Sequence, residues 1–144
     1  MTGYVETYRG CVHAWECDHY GHLNVQFYIG RLSDAFGTLM RMIDMGGEAV
    51  ARRNLGLVAV HQENDFRQEL RAGALIVVQS GIAEIGGKKI RIHHRLFNGE
   101  TGELAFEARV LCICMDLGTR RSTALPDEVV AMAAPYLVDQ AVAA

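Results

Sequence analysis

The chemically versatile side chains crowd into one stretch: Trp15, Glu16, Cys17, Asp18, His19, Tyr20, His22, Asn24 and Tyr28. At its end the apolar pattern takes a helical period. Val25, Tyr28, Ile29, Leu32, Phe36, Leu39, Met40 and Ile43 recur every three or four residues, the stripe of a helix of about five turns. Asn24 suits its N-cap and Gly46-Gly47 its stop. A helix N-terminus offers unpaired N–H groups and a partial positive charge. Such donors polarise a carbonyl oxygen and stabilise an oxyanion. Asp18, a few residues upstream, is placed to attack that carbonyl or to activate water, and Gly21 lets the backbone turn between them. A carboxylate on one side of a carbonyl and amide donors on the other make an acyl-transfer site. The same residues have plainer uses. An aspartate before a helix can serve only as a cap, His22 can merely tie the loop down, and Trp15 and Tyr20 can be core.

These groups need a scaffold. Residues 5–15 are rich in β-branched and aromatic types and read as a strand, as do 57–69, 74–85, 88–98 and 103–116. Ala72-Gly73, Gly86-Gly87 and Asn98-Gly99 mark the turns between them. A last helix starts at Pro126 and is broken at Pro135. The lone long helix has an apolar stripe that must be covered, and only the strands supply enough surface. The order predicts an α+β fold, a five-stranded antiparallel sheet wrapped around one long central helix, as a single domain over residues 1–144. Gly30 and Gly37 are costly inside a helix and are expected to allow close approach to a sheet or a second chain. Cys112 and Cys114 share one strand face as core residues.

Composition narrows the function classes. The chain has 144 residues and a net charge of −3, with half its residues apolar. That is globular composition with no electrostatic footprint for nucleic acid. No apolar run is long enough to span a membrane. The first ten residues lack the basic start and apolar stretch of a signal peptide, so a cytoplasmic location with free thiols is expected. Cys17, Asp18, His19 and His22, joined by His61, are of zinc-ligand type. No other Cys/His pair has ligand spacing, however, and neither a metal nor another cofactor is expected.

The run Asp18-x-Tyr20-x-His22-x-Asn24-x-x-x-Tyr28 resembles the signature of hotdog-fold acyl-CoA thioesterases of the 4-hydroxybenzoyl-CoA thioesterase type. The resemblance continues through Leu32-x-Asp34-Ala35, Asp65 to Gly73, Met115 to Arg120 and Leu125-Pro126. It implies hydrolysis of an acyl-CoA to free acid and CoA without metal. It also implies a homodimer or homotetramer whose seam is the strand at 57–69, with sites lined by both chains. Asp18 is then the catalytic carboxylate, the Val25 backbone N–H an oxyanion donor, and Tyr28 a wall of the acyl pocket. Ser33 stands where many relatives have an acid, which leaves Asp34 as the helix's acid there, and Ala74 likewise departs from the pattern. Two rival readings are dehydration of a hydroxyacyl thioester, with His22 and Asp34 as the pair, and non-catalytic acyl-CoA binding.

The candidate catalytic residues are Asp18, Val25 and His22. The candidate substrate-binding residues are Tyr28, Trp15, Tyr20, Asn24, His61, Lys88, Lys89 and Arg91. Lys88, Lys89 and Arg91, or else Arg120 and Arg121, are the cations offered to the phosphates of coenzyme A. Trp15, Tyr20, Phe27 and Tyr28 form an aromatic neighbourhood suited to an aryl group or, by cation–π attraction, to a quaternary ammonium. The run from Cys17 to Val25 also resembles thioesterases of carnitine and betaine catabolism, which fits the second option.

Overall fold

The computed structural model describes residues 3–139. Its strands are β1 (Val5–Cys11), β2 (Leu55–Phe66), β3 (Leu75–Gly86), β4 (Lys89–Asn98) and β5 (Leu104–Asp116), and its helices α1 (Val25–Met42), α2 (Ala49–Arg53) and α3 (Asp127–Ala133). The strands form one antiparallel sheet in the order β1-β3-β4-β5-β2. The fold is thus α+β with five strands, as expected. β1 and β2 are its edges.

The 18-residue α1 is the longest helix. Asn24 caps it, its Oδ1 accepting the Gln26 N–H at 3.2 Å. Tyr28, Leu32, Ala35, Leu39 and Met40 bury one stripe and meet Ile76, Ile90, Ile92, Leu96 and Phe106 of the sheet in one core. Cys112 and Cys114 lie in that core, fully buried.

Several boundaries differ from expectation. β1 ends at Cys11 rather than near residue 15, because residues 14–16 turn into a 3-10 helix in which the Glu16 carboxylate accepts the His13 N–H at 2.8 Å. α1 stops at Met42, before the glycines, where Asp44 takes a left-handed φ of 60°. The short α2 was not foreseen, and Asn54, also left-handed at φ 54°, closes it. Gly30 does not serve close approach within the chain, since a side chain added there would meet nothing within 4 Å. α3 is followed by a 3-10 turn over residues 134–136 that accommodates Pro135. The β3–β4 hairpin turns at Gly87 and Lys88, with Gly87 at a φ of 60°, a conformation that glycine adopts without strain.

One irregularity decides which side chains reach α1. In β2, Ala59 pairs with Cys112 and His61 with Leu111, so a bulge lies between them. An added residue reverses the alternation. On the α1 side the strand therefore presents Leu57 and Ala59, then Gln62, and later Phe66.

Candidate active site

The loop from Cys17 to Leu23 is a small hairpin. Cys17 and Leu23 bridge, and the Asp18 N–H donates to the His22 carbonyl at 2.9 Å. Gly21, at a φ of 84°, allows the reversal. The hairpin is anchored from below by Glu16 and Arg31, both buried. They form a two-pronged ion pair, with Arg31 Nη2 at 2.6 Å from Glu16 Oε1. Arg31 Nη2 also donates to the Cys11 carbonyl at 2.9 Å. The guanidinium holds the Glu16 carboxyl below its usual range.

Two residues on, Asp18 is placed very differently. Its Oδ1 accepts the Tyr20 N–H at 2.9 Å, and its Oδ2 lies 3.4 Å from His22 Nε2. The other ring nitrogen of His22, Nδ1, lies 3.1 Å from Glu69 Oε2. The imidazole thus bridges two carboxylates. Glu69 is held below its usual range by that hydrogen bond and by Arg71. Asp34 takes no part, since the acids beside His22 are Asp18 and Glu69.

A cleft of about 310 Å3 opens beside this group, lined by His22, Val25, Tyr28, Phe66, Arg67 and Glu69 among others. At this end of α1 the Asn24 side chain takes the Gln26 N–H and its carbonyl the Phe27 N–H. The Val25 N–H, at the first helical position, has no intrahelical acceptor. The Tyr28 ring packs against Phe66 and Phe106, centroids 5.3 and 4.7 Å away, and burial raises its hydroxyl pKa. Arg67 is fixed from behind by Glu107, with Nη2 at 2.8 Å from Oε2. Glu107 is buried and also pairs with His93 Nε2 at 2.8 Å.

The structure brings together only part of the expected set. His22, Val25 and Tyr28 line the cleft, Asp18 stands behind His22, and Asn24 works as the helix cap. The four aromatics do not make one wall. Trp15 is exposed, stacks on His13 and meets Phe27 edge-on, while Tyr20 is exposed at the hairpin tip beside His19. The aromatic group at the cleft is instead Tyr28, Phe66 and Phe106. Sequence reasoning missed Phe66, Phe106 and Glu69 as site residues.

His61, Arg91 and Arg109 line a hollow on the face of the sheet away from α1. Lys89 Nζ and Arg91 Nε reach Glu84 at 3.4 and 2.8 Å, and Lys88 Nζ lies 3.4 Å from Ser122 Oγ. Lys89 pairs with Ile113 of β5 and Phe66 with Phe106. Those positions are about 23 Å apart along the strand, so the hairpin cations are remote from their own chain's cleft. Among the described residues, no three His, Cys, Asp or Glu side chains converge as a metal site. Cys17 Sγ turns back to the His13 carbonyl, 3.8 Å away. No helix among them is long and apolar enough to cross a membrane.

With this geometry in place, similarity to known proteins can be stated. The model of the thioesterase-like superfamily matches residues 12–132. The chain belongs to the thioesterase-like superfamily. The match spans the cleft and all the strands from β2 to β5, in agreement with the family expected from the Asp18–Tyr28 run. This thioesterase-like chain is 28% identical, over 111 residues, to the L-carnitine dehydrogenase/betainyl-CoA thioesterase of Agrobacterium fabrum. The matched part is 76% of this chain but 22% of that protein, so the chain spans about a fifth of the curated relative's length. Its fold is shared with a Staphylococcus aureus protein solved in complex with CoA, at a TM-score of 0.84 and 20% identity, covering 94% of this chain and 84% of that one. It is also shared with a Synechocystis 1,4-dihydroxy-2-naphthoyl-CoA thioesterase, at a TM-score of 0.78 and 16% identity, covering 91% and 96%.

Proposed function

We propose that this chain hydrolyses acyl-CoA thioesters to a free acid and CoA, in a hotdog arrangement with α1 as the central helix. The observation that carries this reading is the cleft at the α1 N-terminus. There the uncapped Val25 N–H stands beside His22, whose imidazole leads to Asp18. The thioester carbonyl oxygen sits against Val25 N–H and the positive end of the helix, which stabilise the charge that develops on it. Asp18 supplies the carboxylate, either attacking the carbonyl carbon or taking a proton from the attacking water. The carbon–sulfur bond then breaks, and CoA leaves as the thiol once the thiolate is protonated; where Asp18 has attacked, water then hydrolyses the acyl–Asp18 anhydride, releasing the acid and restoring the carboxylate. His22, held by Glu69, orients Asp18.

No step calls for a metal or other cofactor, so activity should survive prolonged chelation. Family membership and the betainyl-CoA thioesterase relative support hydrolysis, and the relative's name puts betainyl-CoA in the assay panel.

Assembly follows from β2. Val58, Val60 and Phe66 are exposed on this edge strand, and a long apolar edge needs a cover. Pairing with β2 of a second copy supplies it, in a homodimer or homotetramer. It would also bring one chain's Lys88, Lys89 and Arg91 within the reach of CoA bound to the other. A cytoplasmic location suits a CoA substrate and free thiols.

The deciding experiment is thiol release from a broad acyl-CoA panel. Turnover that Asp18→Ala abolishes while the protein stays folded supports the reading, and no thiol release from any member overturns it. Label in the Asp18 carboxylate after a single turnover in isotope-labelled water would establish it as the nucleophile, since a base exchanges no carboxylate oxygen.

A further inference from the structure

Further along α1 lies a second hollow of about 180 Å3, between the helix and β2. Val25 and Tyr28 line the cleft, and Ile29, Leu32, Ser33 and Phe36 line the groove. These positions fall along one side of the helix, over about 17 Å from Val25 to Phe36. Opposite them β2 supplies Phe66 to the cleft and Gln62, Ala59 and Leu57 to the groove. The two hollows therefore follow the same pair of elements.

The groove is apolar apart from Ser33, Gln62 and one buried histidine, His94. No carboxylate lines it, so nothing there neutralises a cationic acyl group. Ser33 is the position where an acid was expected from the family pattern.

The state of His94 follows from its partners. Its Nδ1 lies 2.6 Å from Ser80 Oγ, and Ser80 Oγ lies 2.8 Å from Thr7 Oγ1. Thr7 donates its hydroxyl to the Val78 carbonyl at 3.3 Å. Ser80 must then donate to Thr7, and His94 Nδ1–H to Ser80. The proton sits on Nδ1, which leaves Nε2 a bare acceptor. Burial, then the neighbouring His93, push the His94 pKa down to about 3, so the ring is neutral. Among the described residues no group bonds Nε2, and Nε2 is not an enclosed orphan. Gln62, which also lines the groove, donates its amide N–H to Asn64 Oδ1 at 2.8 Å.

We propose that His94 is a specificity-determining residue, its Nε2 accepting a hydrogen bond from a hydroxyl on an otherwise apolar, uncharged acyl chain lying in the α1–β2 groove. This rests on the acyl-CoA reading for the identity of the ligand. A purely aliphatic chain leaves the acceptor unpaired in a dry groove, and a quaternary ammonium has no hydrogen to give it. A buried site that is built for a donor rejects the analogue lacking one.

The test uses straight-chain acyl-CoAs of increasing length, each beside its ω-hydroxy counterpart. At the matching length the hydroxy form should show a KM lower by about tenfold. In His94→Leu the ratio of the two KM values should fall to near one. His94→Gln, which retains an acceptor, should keep part of the preference. The same pairs as non-hydrolysable CoA thioethers, titrated by calorimetry, read the preference without turnover. Preference in the thioethers with no hydrolysis of any thioester would sink the hydrolase reading and leave the role of His94 standing. Equal KM values and equal thioether affinities at every length would overturn it, as would a preference undiminished in folded His94→Leu. If His94→Leu does not fold, the wild-type pairs and His94→Gln still decide the matter.

Discussion

Glu16 and Asp18 are two carboxylates on one loop, two residues apart, and the protein uses them in opposite ways. Glu16 is 3% exposed and has both oxygens taken up by Arg31, with the His13 N–H added. Asp18 keeps one oxygen on the Tyr20 N–H and shows the other to an imidazole at 3.4 Å. A carboxylate with both oxygens bound to a buried guanidinium fixes geometry and is poorly placed to react. One that is half engaged is positioned and still available. The contrast shows how the hairpin is held firmly without its reactive group being consumed.

The largest expected effect would break the comparison on the Glu16 side. Glu16→Ala leaves the Arg31 guanidinium buried without its counter-charge, which costs about 3–5 kcal/mol, readable by denaturant unfolding. A loss below about 1 kcal/mol would mean that the clamp is no anchor. Because the Glu16 pKa is lower in the folded chain than in the unfolded one, its contribution is complete above the usual carboxylate range. It fades as pH falls through the folded value, so wild type and variant should converge in acid.

Asp18→Asn tests the other side. Asparagine keeps an oxygen for the Tyr20 N–H, so stability should change by no more than about 0.5 kcal/mol. kcat should fall by at least about 100-fold. A folded Asp18→Asn protein with near-parental turnover would make Asp18 structural too.

His94 extends the comparison to a buried base. Its folded pKa of about 3 lies below the ordinary 6.5, so the unfolded chain gains a proton that the folded chain refuses. Stability is complete above pH 6.5 and falls as pH drops below it, by about 1.4 kcal/mol per pH unit for this group. Burial lowers the pKa of His93 as well, which adds to the same limb. The informative quantity is therefore the difference in slope between wild type and His94→Gln. Identical slopes near pH 5 would show that His94 is protonated in the folded chain.

The smallest effect concerns the hairpin cations. Replacing Lys88 and Lys89 together by Gln should raise KM for acyl-CoA a few-fold, with kcat nearly constant, and salt should erase the difference. Glu84 already engages Lys89 and Arg91, which limits what these cations can offer a phosphate. An unchanged KM at low salt would direct attention to Arg120 and Arg121.

The sequence was legible where a local rule suffices. The start of α1 was readable because a cap side chain and a helical period coincide at Asn24 and Val25. The five strands were readable from turn residues and β-branched runs. The end of β1 was misjudged because the turn at residues 14–16 depends on Glu16 meeting Arg31, a contact across fifteen residues that propensity does not register. Glu69 meets His22 across 47 residues, and Phe66 and Phe106 meet only because β2 pairs with β5. Trp15 and Tyr20 show the converse error, since neighbours of Asp18 in sequence point elsewhere in space.

The bulge in β2 makes the lining of the α1–β2 groove depend on the count of residues rather than on their kind. Deleting Val60 would restore simple alternation and turn no neighbour over, since Ala59 already pairs with Cys112 and His61 with Leu111. Losing Glu63 instead, with Asn64 to Phe66 and Leu57 to Ala59 held in register, would move Gln62 opposite Arg109 and His61 opposite Val110. The bulge would then be consumed, and a histidine would replace the glutamine on the helix side with no residue substituted. Where a single codon is lost from this strand thus decides which side chains the groove presents.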